Sequence, residues 1–242
     1  MRIRKKPNLI PRMERCAHVQ VFEPEQLKGQ WKTISGGRKE LHVELGCGKG
    51  RFTANTAEAN PDVFLVAIEK VPDAMVVAME RVCEMGLENV RFMDRDVVKL
   101  PEIFENGEAD RVYINFCDPW PKSRDAKYRL TAPDFLRKYA DILPLGGQIH
   151  FKTDNTPLFT WSLEQFEAEG WQLSEVTNDL HANGPVGIMT DYEAKFYAEG
   201  MTINRLVATK VEGTKDTKLG SAGRLRNAFL SDAKGHQEDN KE

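Results

Sequence analysis

The residues of this 242-residue chain that could do chemistry are carboxylates at the ends of predicted strands, and the first of them is Glu44. It precedes Gly46, Gly48 and Gly50 in ELGCGKG, between a predicted strand and a predicted helix. Dinucleotide-binding loops carry Gly-x-Gly-x-x-Gly and place a helix N-terminus against a pyrophosphate. An acid before a Gly-x-Gly-x-Gly loop would repel phosphate and favour a cationic nucleoside. The motif therefore predicts S-adenosylmethionine, which has a sulfonium, an amino group and no phosphate.

Further acids follow the next predicted strands. Glu69 ends VFLVAIE, 19 residues after Gly50, where a carboxylate can accept hydrogen bonds from both ribose hydroxyls. Asp94 and Asp96 follow VRFM, where a carboxylate can accept a hydrogen bond from an adenine amino group. Asp118 follows RVYINF. Because ligands of parallel α/β sheets bind beyond the carboxyl ends of the strands, these acids are predicted to share one site.

Asp118 lies in an unusual stretch, FCDPWPKSRDAKYRL at residues 116–130. Prolines belong beyond the end of a central strand, so Trp120 is predicted to form a rigid aromatic shelf at the sheet edge. Aromatic rings stack on nucleic-acid bases, and basic side chains contact phosphates. The basic side chains that follow are Lys122, Arg124, Lys127 and Arg129. The order of acid, aromatic turn and basic run therefore favours a nucleic-acid substrate.

The elements that must position these residues are visible in the hydrophobic pattern. The predicted strands are residues 41–45, 63–69, 90–93, 111–116, 146–154, 171–180 and 202–210. Helices are predicted to begin at Arg51, Pro72 and after Pro133. A further helix is predicted from the apolar face formed by Phe159, Leu163 and Phe166. Strands that alternate with helices of ten or more residues predict βαβ units and a parallel sheet.

Composition narrows the class of protein. The net charge is −3, yet residues 1–15 carry six basic residues against one acid, and residues 120–129 carry four against one. Two basic patches on an acidic chain predict a polyanionic partner. No apolar stretch approaches the roughly 18 to 20 residues of a membrane helix, and no apolar block follows the basic N-terminus, so a cytoplasmic protein is expected. The four cysteines form no Cys-x-x-Cys pair, so neither a metal site nor a disulfide framework is expected.

The sequence resembles the bacterial tRNA (guanine-N7-)-methyltransferases over about residues 1–210. The motifs that carry the resemblance are RKKP (4–7), VELGCGKGRF (43–52), Glu69, FCDPWPKSR (116–124), FKTDN (151–155) and TDYEAKF (190–196). It implies an α/β, Rossmann-like class I methyltransferase fold, doubly wound around a seven-stranded, mostly parallel sheet. It also implies methyl transfer from S-adenosylmethionine to N7 of guanosine 46 in the tRNA variable loop. No second protein subunit is implied, and both a monomer and a homodimer remain open.

The resemblance also implies roles for individual residues and a division of the chain. Cofactor contacts are implied for Glu44, Gly46, Gly48, Gly50, Glu69, Asp96 in preference to Asp94, and Asp118, which is also the implied catalytic residue. Substrate contacts are implied for Lys122, Asp154, Thr190, Asp191, Tyr192 and Glu193, and RNA contacts for Arg124, Asp125, Ala126, Lys127, Tyr128 and Arg129. Residues 1–35 are expected to form a basic arm, 36–212 the methyltransferase domain and 213–242 a polar tail with a weak helix at 219–230. Asp125 and Ala126 interrupt the basic run of the family, and the tail lies outside its pattern.

We hypothesise that Asp118, Asp154 and Glu193 form an acidic pocket for guanine, because carboxylates accept hydrogen bonds from guanine N1–H and N2–H₂. Each of the last two has a structural alternative. Asp154 could cap a helix that starts near Pro157. Glu193 stands three residues after Thr190, which is the spacing of a capping box. His181 is expected to be structural rather than a catalytic base.

Three other functions stay open at this point. A methyltransferase of exocyclic amino groups carries an acid or Asn, two prolines and an aromatic residue after the same strand, and Asp118-Pro119-Trp120 is partly similar. A nucleotide-dependent dehydrogenase is disfavoured by the glycine spacing. A non-catalytic RNA-binding module is disfavoured because Glu44, Glu69 and the glycine loop occur together.

Overall fold

Seven strands form a single sheet in the computed structural model, which describes residues 5–218. The strands are β1 Glu40–Leu45, β2 Val63–Ile68, β3 Val90–Met93, β4 Arg111–Asn115, β5 Gln148–Thr153, β6 Gln172–Thr177 and β7 Asn204–Thr209. They lie in the order β3-β2-β1-β4-β5-β7-β6, and β7 runs antiparallel to both of its neighbours. All seven predicted strands are present, and the predicted fold class is confirmed.

Eight α-helices accompany the sheet within residues 5–218. They are α1 Leu9–Arg15, α2 Trp31–Ile34, α3 Arg51–Ala59, α4 Pro72–Glu84, α5 Leu100–Ile103, α6 Pro133–Ile142, α7 Thr156–Ala168 and α8 Asp191–Ala198. Pro72 and Pro133 occupy first helical positions, where their fixed φ suits a helix and no amide hydrogen is needed. Helices α1 and α3 pack against α4, whereas α5 and α7 pack against α6. No helix of the described part of the chain has the length and apolar character needed to cross a membrane.

The sheet core explains why the strands are readable from sequence. All six residues of β2 are buried, because this strand lies between β1 and β3 under helices. By contrast, β6 is an edge strand with no fully buried residue, and its pairing with β7 shifts register between Ser174 and Thr177. The strands at the centre of the sheet therefore form a firm support for the residues that follow them.

The segment before β1 is attached to this core. Trp31 is fully buried, its indole Nε1 donates to the Ile103 carbonyl at 3.0 Å, and its amide donates to Glu108 at 2.9 Å. In α1, Arg12 forms a two-point ion pair with Glu80 of α4. Residues 1–35 remain a predicted arm, but within residues 5–35 the helix α1 and Trp31 pack against the rest of the fold. The weak helix predicted at 219–230 lies outside the described residues.

Candidate active site

The carboxyl ends of the central strands bring the predicted acids to one edge of the sheet. Glu44 is the fifth residue of β1 and pairs with Ala67 of β2 and Tyr113 of β4. Asn115 ends β4 and pairs with Lys152 of β5, so the residues just beyond these two strands are neighbours. This is the edge at which open α/β sheets bind ligands.

A cleft of about 270 Å³ opens at this edge. Its lining includes Glu44, Gly46 and Gly48 from the glycine loop together with Asp191 and Tyr192 from the start of α8. Two segments that are far apart in the sequence, one predicted to hold the cofactor and one predicted to contact the substrate, thus face each other across one space. Cofactor and substrate sites that meet in this way are what a group transfer requires.

The carboxylate of Glu44 is the buried acid of the cleft. Only 1% of the residue is exposed, and Thr53 of α3 donates to Oε2 at 2.6 Å. Burial raises the pKa of Glu44 to about 7, against the lowering effects of Thr53, Asn115 and Lys152. A cationic ligand group placed against this carboxylate would favour its ionised form.

The three glycines of the loop have two different roles. Gly46 and Gly48 have φ of 75° and 57°, and a Cβ on either would meet no atom within 4 Å. The space above them is open to a ligand. At Gly50 a Cβ would lie 2.5 Å from the Cβ of Ala78, so this glycine lets α3 approach α4. Gly50 is therefore a packing position, and its predicted cofactor contact stays untested.

Glu69 and Asp96 both hold local backbone. Glu69 Oε2 accepts from the Gly48 amide at 2.9 Å, and Oε1 accepts from Val71 at 2.9 Å, which ties the end of β2 to the glycine loop. Asp96 accepts from the Val98 amide at 3.0 Å and pairs with Lys70 at 2.8 Å, which lowers its pKa. Each oxygen can accept a second hydrogen bond, so these contacts are compatible with the predicted ribose and adenine contacts.

Asn115 is a site residue that the sequence reasoning missed. It is 7% exposed and lines the cleft, and neither atom of its amide has a hydrogen-bond partner of ordinary length in the described structure. The amide does lie close enough to Glu44 to lower the pKa of that carboxyl. Buried amides are rarely left unpaired, so the position is typical of one completed by a ligand. Its signal is a polar residue in the last position of the strand RVYIN, directly after the apolar Ile114.

Asp118 and Asp154 are the two predicted acids with free carboxylates. Asp118 is exposed and Asp154 half-buried, and neither side chain makes a hydrogen bond or ion pair with any described residue. Both carboxylates help to raise the pKa of the Cys117 thiol, which burial mainly raises to about 12, so both lie near Cys117. The alternative of a helix cap is wrong for Asp154, because Asn155 caps α7 by accepting from Leu158 at 2.8 Å.

The backbone on either side of Asp118 is strained. Phe116 and Trp120 have φ of 54° and 41°, a region that residues with a Cβ rarely adopt. Arg129 holds this turn, because its guanidinium donates to the carbonyls of Pro119 and Trp120 at 3.0 Å and lies 4.4 Å from the Trp161 ring centre. Strain of this kind persists only where the surroundings enforce it. Arg129, predicted to contact RNA, thus has its guanidinium engaged within the protein.

The rest of the basic loop, residues 122–129, faces solvent. Lys122 and Lys127 are exposed, and Arg124 is 77% exposed with only a 3.9 Å pairing to Asp125. The Trp120 and Tyr128 rings lie 5.3 Å apart and remain 39% and 50% exposed. Large aromatic rings beside free cations form a surface suited to nucleic acid.

Glu193 occupies a different environment from the other predicted substrate residues. It is fully buried, it accepts from Lys152 Nζ at 2.6 Å and from His181 Nε2 at 3.1 Å, and it completes a capping box with Thr190. The predicted capping box and the structural role of His181 are confirmed. His181 Nδ1 accepts from the Val186 amide at 3.1 Å, so Nε2 carries the proton. Because Glu193 has no exposed surface, it is placed to support the start of α8 rather than to face a ligand.

Comparison with known proteins agrees with this geometry. A family model described as "Putative methyltransferase" matches residues 38–206. The tRNA (guanine-N(7)-)-methyltransferase of Bacillus velezensis is 44% identical over 206 residues, which cover 85% of this chain and 95% of that protein. The chain belongs to this family. The protein of the same name from Listeria monocytogenes is 43% identical over 209 residues, 86% of this chain and 98% of that one.

Solved structures support the fold alone, because their identities are low. "Structure of an Antibiotic Related Methyltransferase" aligns with a TM-score of 0.56 at 19% identity and covers 76% of this chain and 93% of that one. A 16S rRNA (adenine(1408)-N(1))-methyltransferase variant with cosubstrate SAM, from Catenulisporales acidiphilia, aligns at 0.55 and 15% identity, over 76% and 91% of the two chains. The fold is that of class I methyltransferases.

Proposed function

We propose that the protein transfers the methyl group of S-adenosylmethionine to N7 of guanosine 46 in the tRNA variable loop. The observation that carries this proposal is the buried acid Glu44 in a cleft lined by the glycine loop and the start of α8, with the free carboxylates of Asp118 and Asp154 just beyond β4 and β5 at the same edge of the sheet. Glu44 would hold a cationic group of the cofactor, Gly46 and Gly48 would admit it against the backbone, and Asn115 would gain the hydrogen-bond partner that it lacks. Relatives named for guanine-N7 methylation of tRNA support the substrate.

Methyl transfer to guanine N7 requires the protein to position the two reactants and does not require it to remove a proton. Guanine N7 is an unprotonated lone pair, so no general base is required, and the cofactor supplies an electrophilic methyl group. The protein must hold N7 in line with that group at roughly 3 to 3.5 Å. It must also stabilise the positive charge that develops on the base, which preorganised carboxylates can do.

Asp118 and Asp154 fit that task better than Glu193. A carboxylate that accepts from guanine N1–H and N2–H₂ orients the base and selects it over adenine. Glu193 is fully buried, so to reach a base it would have to leave Lys152, and breaking a buried ion pair costs about 3–5 kcal/mol. We therefore assign the guanine edge to Asp118 and Asp154, and assign to Glu193 the positioning of Thr190, Asp191 and Tyr192.

The tRNA would dock on the basic loop, where Lys122, Arg124 and Lys127 contact phosphates and Trp120 and Tyr128 offer faces to bases. The protein would act in the cytoplasm on tRNA without a second subunit. Arg129 is excluded from this contact set because its guanidinium holds the turn that carries Asp118.

The test is methylation of an unmodified tRNA transcript, with the product nucleoside identified by chromatography and mass spectrometry. We expect 7-methylguanosine, and none from a transcript with adenosine at position 46. Asp118→Asn should lower single-turnover rates at saturating S-adenosylmethionine roughly 10²- to 10³-fold, which is the scale for loss of one preorganised electrostatic contact. Asp94→Asn is the matched control at the same sheet edge. Methylation of an exocyclic amino group, or full turnover by Asp118→Asn, would refute the proposal.

A further inference from the structure

A second cavity, of about 300 Å³, lies on the flank of the sheet and is separate from the cleft except where Phe52 and Asn115 line both. Its floor is the face of β4, β5 and β7 that looks toward α3. The register places Asn115 beside Lys152 and Lys152 beside Arg205, in one row across three strands. Side chains in such a row project to the same face of the sheet. We call this space the flank cavity.

The charge of the flank cavity is positive. Three of its lining side chains are cationic, Arg111, Lys152 and Arg205, and none of the residues lining it is an acid. Lys152 is paired with Glu193, and Arg205 is paired with Glu175 at 2.5 Å. These two pairs leave Arg111 as the cation to account for.

Arg111 has no acidic partner among the described residues. Its terminal nitrogen donates to the Tyr113 hydroxyl at 3.3 Å, and its buried Nε has no hydrogen-bond partner within the described chain. The nearby acids are already occupied, since Glu40 bonds His42, and Asp110 bonds Lys32 and the backbone of β1. A buried guanidinium nitrogen without a hydrogen-bond partner is costly, and an anion from solution would offset that cost.

His150 marks the centre of the flank cavity. It pairs across the sheet with Tyr113, and Arg111, Arg205 and Lys152 all act on it. Burial, followed by these cations, lowers the pKa of His150 to about 3, so the ring is neutral at physiological pH. Of the cations around this ring, Arg111 is the one that faces the cavity without a carboxylate partner among the described residues.

The remaining walls indicate the kind of molecule that carries the anion. Phe52 of α3 and Leu180, Val186 and Ile188 of the segment before α8 are apolar, whereas Asn60 and Asn115 offer amides. Asn115 is 7% exposed, and neither atom of its buried amide has a hydrogen-bond partner of ordinary length among the described residues. A volume of about 300 Å³ is at the lower end for sites of small organic ligands.

We propose that the flank cavity binds a phosphate group, with Arg111 as its main ligand and Arg205 as the second. Planar guanidinium forks match phosphate oxygens, and the apolar wall accommodates the sugar or base attached to the phosphate. The phosphate belongs either to a free nucleotide or to an RNA strand. The site does not depend on methyl transfer and can be tested without it.

The experiment is a ³¹P and protein-observed NMR titration with inorganic phosphate and with uridine 5′-monophosphate, using uridine as the phosphate-free comparison. The variants are Arg111→Gln and Arg111→Lys. The matched control is Arg91→Gln, because Arg91 is a strand arginine of β3 without an acidic partner among residues 5–218. We expect Arg111→Gln to weaken both phosphate ligands about tenfold or more, Arg111→Lys to weaken them less, and the control to bind as the wild type does.

A thermal melt of each variant separates loss of a ligand from loss of the fold, and Arg111→Lys keeps the charge if Arg111→Gln fails to fold. tRNA affinity at several salt concentrations then identifies the source of the phosphate. The quantity compared is the slope of the logarithm of tRNA affinity against the logarithm of salt concentration. If the magnitude of this slope falls by about one in Arg111→Gln, the site binds an RNA phosphate; if the slope is unchanged, the site binds a free nucleotide. The proposal is overturned if the wild type does not bind phosphate saturably. It is also overturned if Arg111→Gln binds phosphate as tightly as the wild type does. If Arg111→Gln does not fold, the same comparison is made with Arg111→Lys.

Discussion

The pKa of Glu44 makes cofactor binding dependent on pH in a range that is easily measured. Burial raises this pKa to about 7 in the ligand-free protein, so the carboxyl is mostly protonated at pH 6. If the ionised form holds a cationic group of S-adenosylmethionine, the affinity should fall about tenfold for each pH unit below 7. That slope corresponds to about 1.4 kcal/mol per unit.

Isothermal titration calorimetry of S-adenosylmethionine between pH 5.5 and 7, in buffers of different ionisation enthalpy, measures both the affinity and the number of protons released on binding. The dissociation constant should rise as the pH falls, and binding at pH 6 should release about one proton. Glu44→Gln should bind weakly with no pH dependence, and its curve corrects for titration of the ligand itself. The reasoning is refuted if the wild-type affinity is constant over this range or if Glu44→Gln has the same slope.

The same shift has a consequence for stability. The folded pKa lies above the unfolded value of 4.5, so the folded protein retains a proton that the unfolded chain releases between about pH 4.5 and 7. The contribution of Glu44 to the free energy of unfolding is therefore fully present below pH 4.5 and is lost as the pH rises through 7. Relative to Glu44→Gln, the wild-type free energy of unfolding should fall by about 3 kcal/mol across this window, measured by urea denaturation.

Three further substitutions test the packing around the site. Gly50→Ala should destabilise the protein by at least about 2 kcal/mol in urea, since the new Cβ meets Ala78 at a positive φ; a neutral effect would contradict the close helix approach. Glu193→Ala should lower the free energy of unfolding by about 3–5 kcal/mol, because it leaves Lys152 buried without its partner. A smaller loss of stability in the double variant Lys152→Met/Glu193→Leu would show that the two residues are coupled. Arg129→Gln should lower kcat roughly tenfold to a hundredfold with little change in tRNA affinity or its salt slope, whereas an RNA contact would change the slope.

The sequence predicts the sheet well because its central strands are apolar runs that the core buries. VFLVAI is recognisable for this reason, and Pro72 and Pro133 mark helix starts by fixing φ. The pattern thus supplied the seven strand segments and the expectation of a parallel sheet, whereas the resemblance to a family supplied the doubly wound class I fold. Strand order depends on contacts between distant segments, which hydrophobic periodicity does not contain.

The parts of the site that could not be predicted depend on such distant contacts. Lys152 and Glu193 are 41 residues apart and meet only because α8 returns to β5. A carboxylate at a capping-box position looks the same in sequence whether it faces solvent or a buried lysine. Asp154 and Asn155 show that neighbouring residues can also be hard to tell apart. Both could cap α7, but the side chain of Asn155 does so, which leaves the carboxylate of Asp154 free.

The turn that carries Asp118 links these local and distant determinants. Proline on both sides of Trp120 restricts the turn, yet the positive φ of Trp120 is not set by its neighbours in sequence. It is enforced from nine residues away, where Arg129 bonds the Trp120 carbonyl while stacked on Trp161 of α7. The basic run therefore contains two kinds of residue with the same charge: Lys122, which is exposed to solvent, and Arg129, whose guanidinium holds the turn that carries Asp118.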